Sequence, residues 1–171
     1  MVVQVFSQLM NTLEERIWKV LRTVHDPEIP VLNVVEMGIV RNVSIVSNAV
    51  HVTITPTYSG CPAMKTIEED IAAALKECEV ENLVIDTTLT PPWTTDWMTD
   101  EARTKLEYEG IAPPQIGSAD KGLLMGRIRD VKCPRCGSLQ TNMISQFGST
   151  ACKALYRCQH CLEPFDYFKC I

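Results

Sequence analysis

The sequence predicts an α+β fold, in which a small mixed or antiparallel sheet packs with helices and a small cysteine-rich β module follows. Three observations support this prediction. Apolar residues recur at helical spacing in two stretches, and segments of alternating polarity typical of strands lie beside them. Six of the eight cysteines lie beyond residue 132. The uneven distribution of cysteine indicates a second, separate module at the end of the chain.

The first predicted helix is followed by a pair of strands. Thr12 and Glu15 have the spacing of a capping box, so we expect the helix to begin at Thr12. It should end near Asp26, because Pro27 disfavours helical geometry in the residue before it. Strands are predicted from Ile39 to Val46 and from Val50 to Thr55, with a tight turn at Ser47 and Asn48 between them.

A second helix, a third strand and a last short helix complete the first module. The apolar positions after Pro62 fall on one helical stripe, and a strand is predicted from Leu83 to Leu89. The short helix should run from about Thr99 to Glu109, with Gly110 beyond its end. The order helix, strand, strand, helix, strand favours helices packed on one face of a small sheet.

Composition sets the expected domain boundaries. The segment from residue 111 to residue 129 is rich in proline and glycine, which favours a linker. We therefore predict a first domain over residues 10–110, a linker over 111–129 and a cysteine-rich module over 130–171.

Charge and hydropathy narrow the classes of partner and location. The formal net charge is −5 and the calculated pI is about 5.2, so nucleic acid is not an expected partner. The first residues carry neither a basic stretch nor a long apolar run, and we expect no signal peptide, no membrane partner and a cytoplasmic location.

Two C-x-x-C pairs form the most specific motif in the chain. Cys133 and Cys136 make the first pair, and Cys158 and Cys161 make the second. Two such turns, brought together on strands, present four tetrahedral sulfurs, which is the arrangement of a structural zinc ribbon. Iron or an iron–sulfur cluster remains an alternative, because thiolates also suit those centres.

Two further cysteines in the module, Cys152 and Cys170, have no assigned partner in this pattern. They are either packing residues or additional thiols, in which case one exchanges into the metal site or holds a second metal. The sequence leaves both alternatives open.

Cys61 is the candidate reactive residue of the first domain. It follows a β-branched run and Gly60, and it precedes Pro62, a residue favoured in the first turn of a helix. A thiol at a helix N-terminus is expected to have a lowered pKa and to act as a nucleophile or soft-metal ligand. The alternative is a small buried residue that ends a strand.

Asp26 and Glu28 flank Pro27 in a rigid loop. Paired carboxylates can act in acid–base chemistry or bind a metal, whereas in many loops they serve only as caps and hydrogen-bond acceptors. The sequence contains no complete catalytic motif, so we expect a protein that is not an enzyme in its own right.

Three segments of the first domain resemble the SufT-like metal–sulfur cluster assembly family. The segments are Asp26 to Pro30, Glu36 to Val40 and Thr57 to Pro62. The resemblance covers about residues 10 to 110 and implies a small α/β fold with a role in maturing iron–sulfur proteins. It matches Cys61 to the family cysteine proposed to hold or transfer iron or a cluster, and Asp26 and Glu28 to the family's acidic loop.

The remainder of the chain resembles the PaaD family of proteins. The matching segments are Phe147 to Cys158, Pro164 to Cys170 and Pro92 to Met98. PaaD accompanies the phenylacetyl-CoA epoxidase, a multicomponent oxygenase of bacterial phenylacetate degradation with separate di-iron and iron–sulfur reductase components. The resemblance therefore implies an accessory role in equipping the oxygenase and reductase components, which would be its partners together with other iron–sulfur client proteins.

Three functions compete at this stage. A maturation factor would bind or relay iron or a cluster at Cys61. A structural subunit of the oxygenase would need no metal transfer, and a rubredoxin-like electron-transfer protein would carry iron in the four-cysteine site. The sequence does not decide the oligomeric state, so a homodimer stays open.

Overall fold

The structure, a computed structural model, describes residues 13–78, 80–114 and 131–169. The chain divides into two compact units, Met1–Pro91 and Pro92–Ile171. The predicted capping residue Thr12, most of the predicted linker and Cys170 lie outside the described residues. The predicted domain limits at residues 110 and 130 stay a prediction, and the units described here are divided at Pro91.

The first unit is built from two helices and a three-stranded sheet. Its elements are a helix over 13–21 (α1), strands Val40–Val46 (β1) and Ala49–Ile54 (β2), helix Ala63–Glu77 (α2) and strand Leu83–Thr87 (β3). β2 lies in the middle, antiparallel to β1 and parallel to β3. The predicted order of helices and strands, and the mixed α+β class, are confirmed.

The hairpin between β1 and β2 follows from the two residues of its turn. Ser47 and Asn48 both have positive φ angles, 49° and 63°, as a type I′ turn requires at its two central positions. Asn tolerates that conformation better than most residues. The turn sets Val46 opposite Ala49 in the sheet.

α2 crosses between the parallel strands β2 and β3 and buries one stripe. Ala63, Ile67, Ile71 and Leu75 are its buried residues, at the spacing of an amphipathic helix. The helix begins directly after Pro62, whose φ of −68° suits a first turn. The stripe fixes the helix on the sheet and thereby fixes the position of Cys61, the residue before Pro62.

The second unit contains a short helix and a four-stranded sheet. Its elements are a 3-10 turn at Thr95–Trp97, helix Asp100–Tyr108 (α3) and strands Ile111–Ala112 (β4), Thr141–Ser145 (β5), Lys153–Cys158 (β6) and Pro164–Phe168 (β7). The strand order is β4-β7-β6-β5. β4 joins β7 in parallel, and the other pairs are antiparallel. Strands β4 and β7 were not predicted from the sequence.

Aromatic residues form the core of the second unit. Tyr156 and Tyr167 are fully buried, and their rings meet edge to face with centroids 5.7 Å apart. Tyr156 also stacks on Phe165 at 5.9 Å. Cys133 and Cys158 belong to the same buried cluster, so the side chains that could hold a metal are continuous with the core.

No helix in the described part of the chain is long and apolar enough to cross a membrane.

Candidate functional site

The four cysteines of the two C-x-x-C pairs meet at one end of the sheet of the second unit. Cys133 and Cys136 lie in the turn before β5, Cys158 ends β6, and Cys161 lies in the turn that leads to β7. The sulfur of Cys133 is 3.8 Å from that of Cys161, and the sulfur of Cys136 is 3.5 Å from that of Cys158. All four sulfurs lie within 4.8 Å of one another.

Local backbone geometry brings each pair of sulfurs together. The Gly137 N–H donates to the Cys133 carbonyl at 2.9 Å, and Gly137 has a φ of +74° that glycine adopts readily. In the second turn, the N–H groups of His160 and Cys161 both point at the Cys158 sulfur at 3.4 Å. Each C-x-x-C sequence therefore folds into a tight turn with its sulfurs on one side, as the spacing predicted.

The thiols of the cluster differ in how readily they ionise. The backbone N–H of Cys161 and, after an opposing effect of burial, that of His160 lower the pKa of Cys158 to about 6. At Cys161 the N–H of Glu163 also favours ionisation, but burial and the neighbouring sulfurs outweigh it and raise the pKa to about 12. The four sulfurs do not all become thiolates at neutral pH unless a cation compensates the charge, as a metal ion would.

The distances between sulfurs fit a single tetrahedral ion. A metal–sulfur bond of about 2.3 Å gives tetrahedral edges of about 3.8 Å, close to the 3.5 and 3.8 Å observed. The donor set and its geometry therefore form a metal-binding site. Sulfur–sulfur distances do not distinguish zinc from iron, since both bind thiolates tetrahedrally.

Cys152 does not join this group of ligands within the described residues. It is buried just before β6, and its sulfur lies 3.0 Å from Thr150 Oγ1. Its position fits a packing residue better than a ligand of the four-cysteine site. Cys170 lies outside the described residues.

Cys61 lies on the turn that connects β2 to α2. The β2 strand is anchored at its end by the Thr55 N–H, which donates to the Ile39 carbonyl at 2.8 Å. Gly60 turns the chain with a φ of +85°, and the Cys61 N–H then donates to the Tyr58 carbonyl at 3.2 Å. The half-buried Cys61 thus sits immediately before the N-terminus of α2, where the sequence placed it.

The predicted lowering of the Cys61 pKa is wrong for the thiol without a bound metal. Partial burial, which disfavours the charged form, raises this pKa. The backbone N–H of Ala63 and the side chain of Tyr58 act in the opposite direction, and the carboxylates of Glu28 and Asp26 raise the pKa further. The sequence pattern showed the helix N-terminus but not the burial or the approach of the acidic loop.

The loop that carries Asp26 and Glu28 is held by Asp26. Its Oδ1 accepts the backbone N–H groups of Glu28 and Ile29, both at 2.8 Å, and the side chain is only 6% exposed. Glu28 is half-buried. Asp26 therefore shapes the loop, and the negative charge of the loop acts on the Cys61 thiol.

A second pair of residues, which the sequence analysis did not assign, supports the same region. Asn33 Oδ1 accepts the N–H of Glu36 at 2.9 Å, and Glu36 Oε1 accepts the N–H of Asn33 at 3.0 Å. This reciprocal pattern is a capping box with Asn as its first residue. The spacing Asn-x-x-Glu was the available signal. The pair fixes the turn that leads into β1.

Two family models match the chain in separate regions. Residues 14–84 match the model described as iron–sulfur cluster assembly protein. Residues 117–169 match the model described as PaaD zinc beta ribbon domain. The first match contains Cys61 and the acidic loop, and the second contains the four clustered cysteines.

Relatives in other bacteria and a solved structure agree with this division. A Porphyromonas gingivalis (strain ATCC BAA-308 / W83) protein named Fe-S protein maturation auxiliary factor is 41% identical, covering 56% of this chain and 91% of that protein. A crystal structure of a domain of unknown function, DUF59, from Bacillus anthracis has a TM-score of 0.54 at 27% identity, covering 58% of this chain and 96% of that chain.

One relative is similar over both units. It is an Escherichia coli (strain K12) protein whose provisional name makes it one of the subunits of 1,2-phenylacetyl-CoA epoxidase, and it is 48% identical over 159 residues. The alignment covers 91% of this chain and 92% of that protein. An N-terminal assembly domain, a C-terminal four-cysteine ribbon and this identity over nearly the full length together show that the chain belongs to the PaaD family of phenylacetyl-CoA epoxidase proteins.

Proposed function

We propose that this protein is an accessory factor of the phenylacetyl-CoA epoxidase system that assists assembly of iron or iron–sulfur centres in the oxygenase and reductase components. The family of the chain and the names of its relatives, which include Fe-S protein maturation auxiliary factors, support this role. In this proposal Cys61 binds or relays the iron or cluster, and the protein itself catalyses no step of the epoxidation.

The surroundings of Cys61 are the observation that carries the proposal. The thiol lies half-buried before a helix, with the carboxylates of Glu28 and Asp26 close enough to raise its pKa. The same negative charges that disfavour a bare thiolate favour a cation beside it. A metal ion that binds here displaces the thiol proton, so the thiol stays protonated when the site is empty and becomes a ligand when iron arrives.

For the four-cysteine site we propose a single zinc ion with a structural role. The ligands Cys133, Cys136, Cys158 and Cys161 lie within 4.8 Å of one another, which suits one ion better than a cluster with several iron atoms. Zinc bound there would hold β5, β6 and β7 together at the end of a small core.

A rubredoxin-like role is a second candidate because the same sulfur distances accommodate one iron ion. An electron-transfer protein of this kind would be coloured and reversibly reducible. A third candidate, a structural subunit of the oxygenase, requires neither property and predicts stable co-purification in fixed proportion.

Metal and acid-labile sulfide analysis with a visible spectrum, on protein purified without oxygen, tests these functions. Wild type is compared with Cys61→Ser and with the matched control Cys78→Ser, because Cys78 is a half-buried cysteine at the other end of α2. We expect one zinc ion in all three proteins. We expect iron absorbance in wild type and in Cys78→Ser, and its loss in Cys61→Ser.

A second measurement follows transfer to the client. Purified epoxidase components without metal are incubated with each iron-loaded variant, and their iron content is then measured. Transfer by wild type and not by Cys61→Ser supports the maturation role. If Cys61→Ser supports loading as well as wild type does, the proposed role of Cys61 is wrong, and fixed stoichiometric co-purification would then favour the structural subunit.

A further inference from the structure

The outer edge of β3 carries features of an interface that the proposed function does not use. β3 pairs with β2 on one side, and within the described residues its other side pairs with no strand. Its register with β2 is regular from Leu83 to Thr87. An edge strand of this kind presents a row of backbone N–H and C=O groups to any strand that can pair with it.

The other edge of the same sheet is protected and β3 is not. β1 carries an irregularity in its register between Val40 and Asn42, and the exposed Arg41 lies at that point. Bulges and positive charges are common means of blocking an edge strand. β3, with the sequence Leu-Val-Ile-Asp-Thr, has no bulge, proline or lysine, and Val84 is 38% exposed.

An open groove of about 770 Å³ runs along this edge between β3 and α2. The lining includes Leu83 and Ile85 on the strand and Ala72 and Lys76 on the helix. Leu83 and Ile85 are half-buried although they face the helix. The groove therefore leaves apolar surface of both elements uncovered beside an unpaired strand edge.

The helical side of the groove has opposite charges at its two ends. Glu68, Ala72 and Lys76 follow one another at four-residue spacing on α2, so they form one stripe. Glu68 lies beside the end of β3, because its Oε1 accepts a hydrogen bond from Thr87 Oγ1 at 2.9 Å. Lys76 lies beside its beginning, with Leu83. The stripe is therefore acidic at one end, small in the middle and basic at the other end.

The strand and the helical stripe also have matching lengths. Glu68 to Lys76 spans about 12 Å at 1.5 Å per helical residue. Leu83 to Thr87 spans about 13 Å at 3.3 Å per strand residue. Ile85, the middle of the strand, is therefore level with Ala72, the middle of the stripe. A two-fold axis through Ile85 would also pass beside Ala72.

We propose that β3 and the stripe Glu68–Ala72–Lys76 form the two-fold interface of a homodimer. β3 pairs antiparallel with β3 of a second copy, with Ile85 opposite Ile85, so that one sheet runs through both copies. The two-fold operation reverses the stripe, and Lys76 of each copy then meets Glu68 of the other. A surface that is its own complement is the requirement for an isologous dimer.

The distances between elements allow the pairing. Neighbouring strands lie about 4.8 Å apart, and a helix that connects two parallel strands lies over them. The two α2 helices would then be about 10 Å apart, within the usual range for packed helices, and Ala72 is small enough at the crossing point. Cys61 precedes the far end of α2, so the two thiols would lie roughly 30 Å apart and each copy would keep its own site.

Sedimentation of the full-length protein across the micromolar range, with variants of both charges, tests the proposal. We expect wild type to dimerise. Lys76→Glu and Glu68→Lys should each weaken the dimer about tenfold or more, because each substitution turns two symmetric attractions into repulsions. The double charge swap should restore the affinity to within about threefold of wild type.

Two controls separate the interface from general effects of charge and folding. Glu69→Lys reverses an exposed charge of α2 outside the stripe, where Glu69 pairs with Lys65 at 3.8 Å, and it should leave dimerisation unchanged. Far-ultraviolet circular dichroism confirms that every variant is folded. Glu68 and Lys76 are two turns apart within one copy, so rescue by the double swap requires a contact between copies.

Several results would overturn the proposal. A wild-type protein that stays monomeric at every concentration excludes the dimer. A dimer that is insensitive to the single charge reversals, or is not rescued by the double swap, uses another surface. If wild type is monomeric and a chain that lacks residues 1–12 dimerises, the N-terminal segment is the occupant of the groove instead.

Discussion

Replacement of Asp26 by alanine and by asparagine separates the shape of the acidic loop from its charge. The Asp26 carboxylate is 6% exposed, and its Oδ1 accepts two backbone N–H groups at 2.8 Å, those of Glu28 and Ile29. Asp26→Ala removes the acceptor and leaves the Ile29 N–H buried without a partner. Asp26→Asn keeps an oxygen at the same position and removes only the charge.

The magnitude follows from these two hydrogen bonds. A hydrogen bond to a charged acceptor contributes about 1.5–3 kcal/mol when it is buried, as the bond from Ile29 is. The bond from Glu28 is partly buried, and water replaces some of its contribution. We expect Asp26→Ala to reduce the free energy of unfolding of the first unit by about 2–4 kcal/mol and Asp26→Asn by about 1 kcal/mol.

Hydrogen exchange of backbone amides, measured by NMR along a urea series, is the suitable assay. The chain contains two compact units, so one melting temperature would mix two transitions. Amides of β2 report the stability of the first unit, and the amides of Glu28 and Ile29 report the loop itself. Glu28→Gln is the matched control, because Asp26 binds the backbone of Glu28 rather than its carboxylate.

The reasoning fails if Asp26→Asn destabilises the first unit as much as Asp26→Ala does. That result would mean that the negative charge, and not the position of the oxygen, holds the loop. Equal stability of all three proteins would show that the two hydrogen bonds contribute nothing to the fold.

Four further predictions follow from the same structure. Glu28→Gln should lower the pKa of Cys61, since its carboxylate adds to the effect of burial, and the pH profile of Cys61 alkylation should shift to lower pH. Cys136→Ser, or treatment with a strong chelator, should remove the metal and the amide protection of the second unit while the first unit stays folded. Ile71→Ala should cost the first unit about 2–5 kcal/mol in urea unfolding, because this fully buried side chain leaves a cavity. Gly60→Ala should cost about 1–2 kcal/mol in the same assay from the positive φ alone, since no atom lies within 4 Å of the added Cβ.

The sequence by itself determined the elements whose signal is local. Helical periodicity located α2, and the turn residues Ser47 and Asn48 located the hairpin of β1 and β2. The two C-x-x-C pairs identified the metal ligands, because each pair needs only a tight turn to orient its sulfurs. Signals of this kind depend on residues a few positions apart, so they can be recognised without knowledge of the fold.

Only the tertiary structure decided the properties that depend on residues distant in the sequence. Burial and the approach of Glu28 reversed the expected direction of the Cys61 pKa, and both arise from packing of a loop more than 30 residues earlier in the chain. The short strand β4 became visible only through its pairing with β7. The same holds for the uncovered edge of β3, because whether a strand is at the edge of a sheet depends on what the rest of the chain leaves beside it.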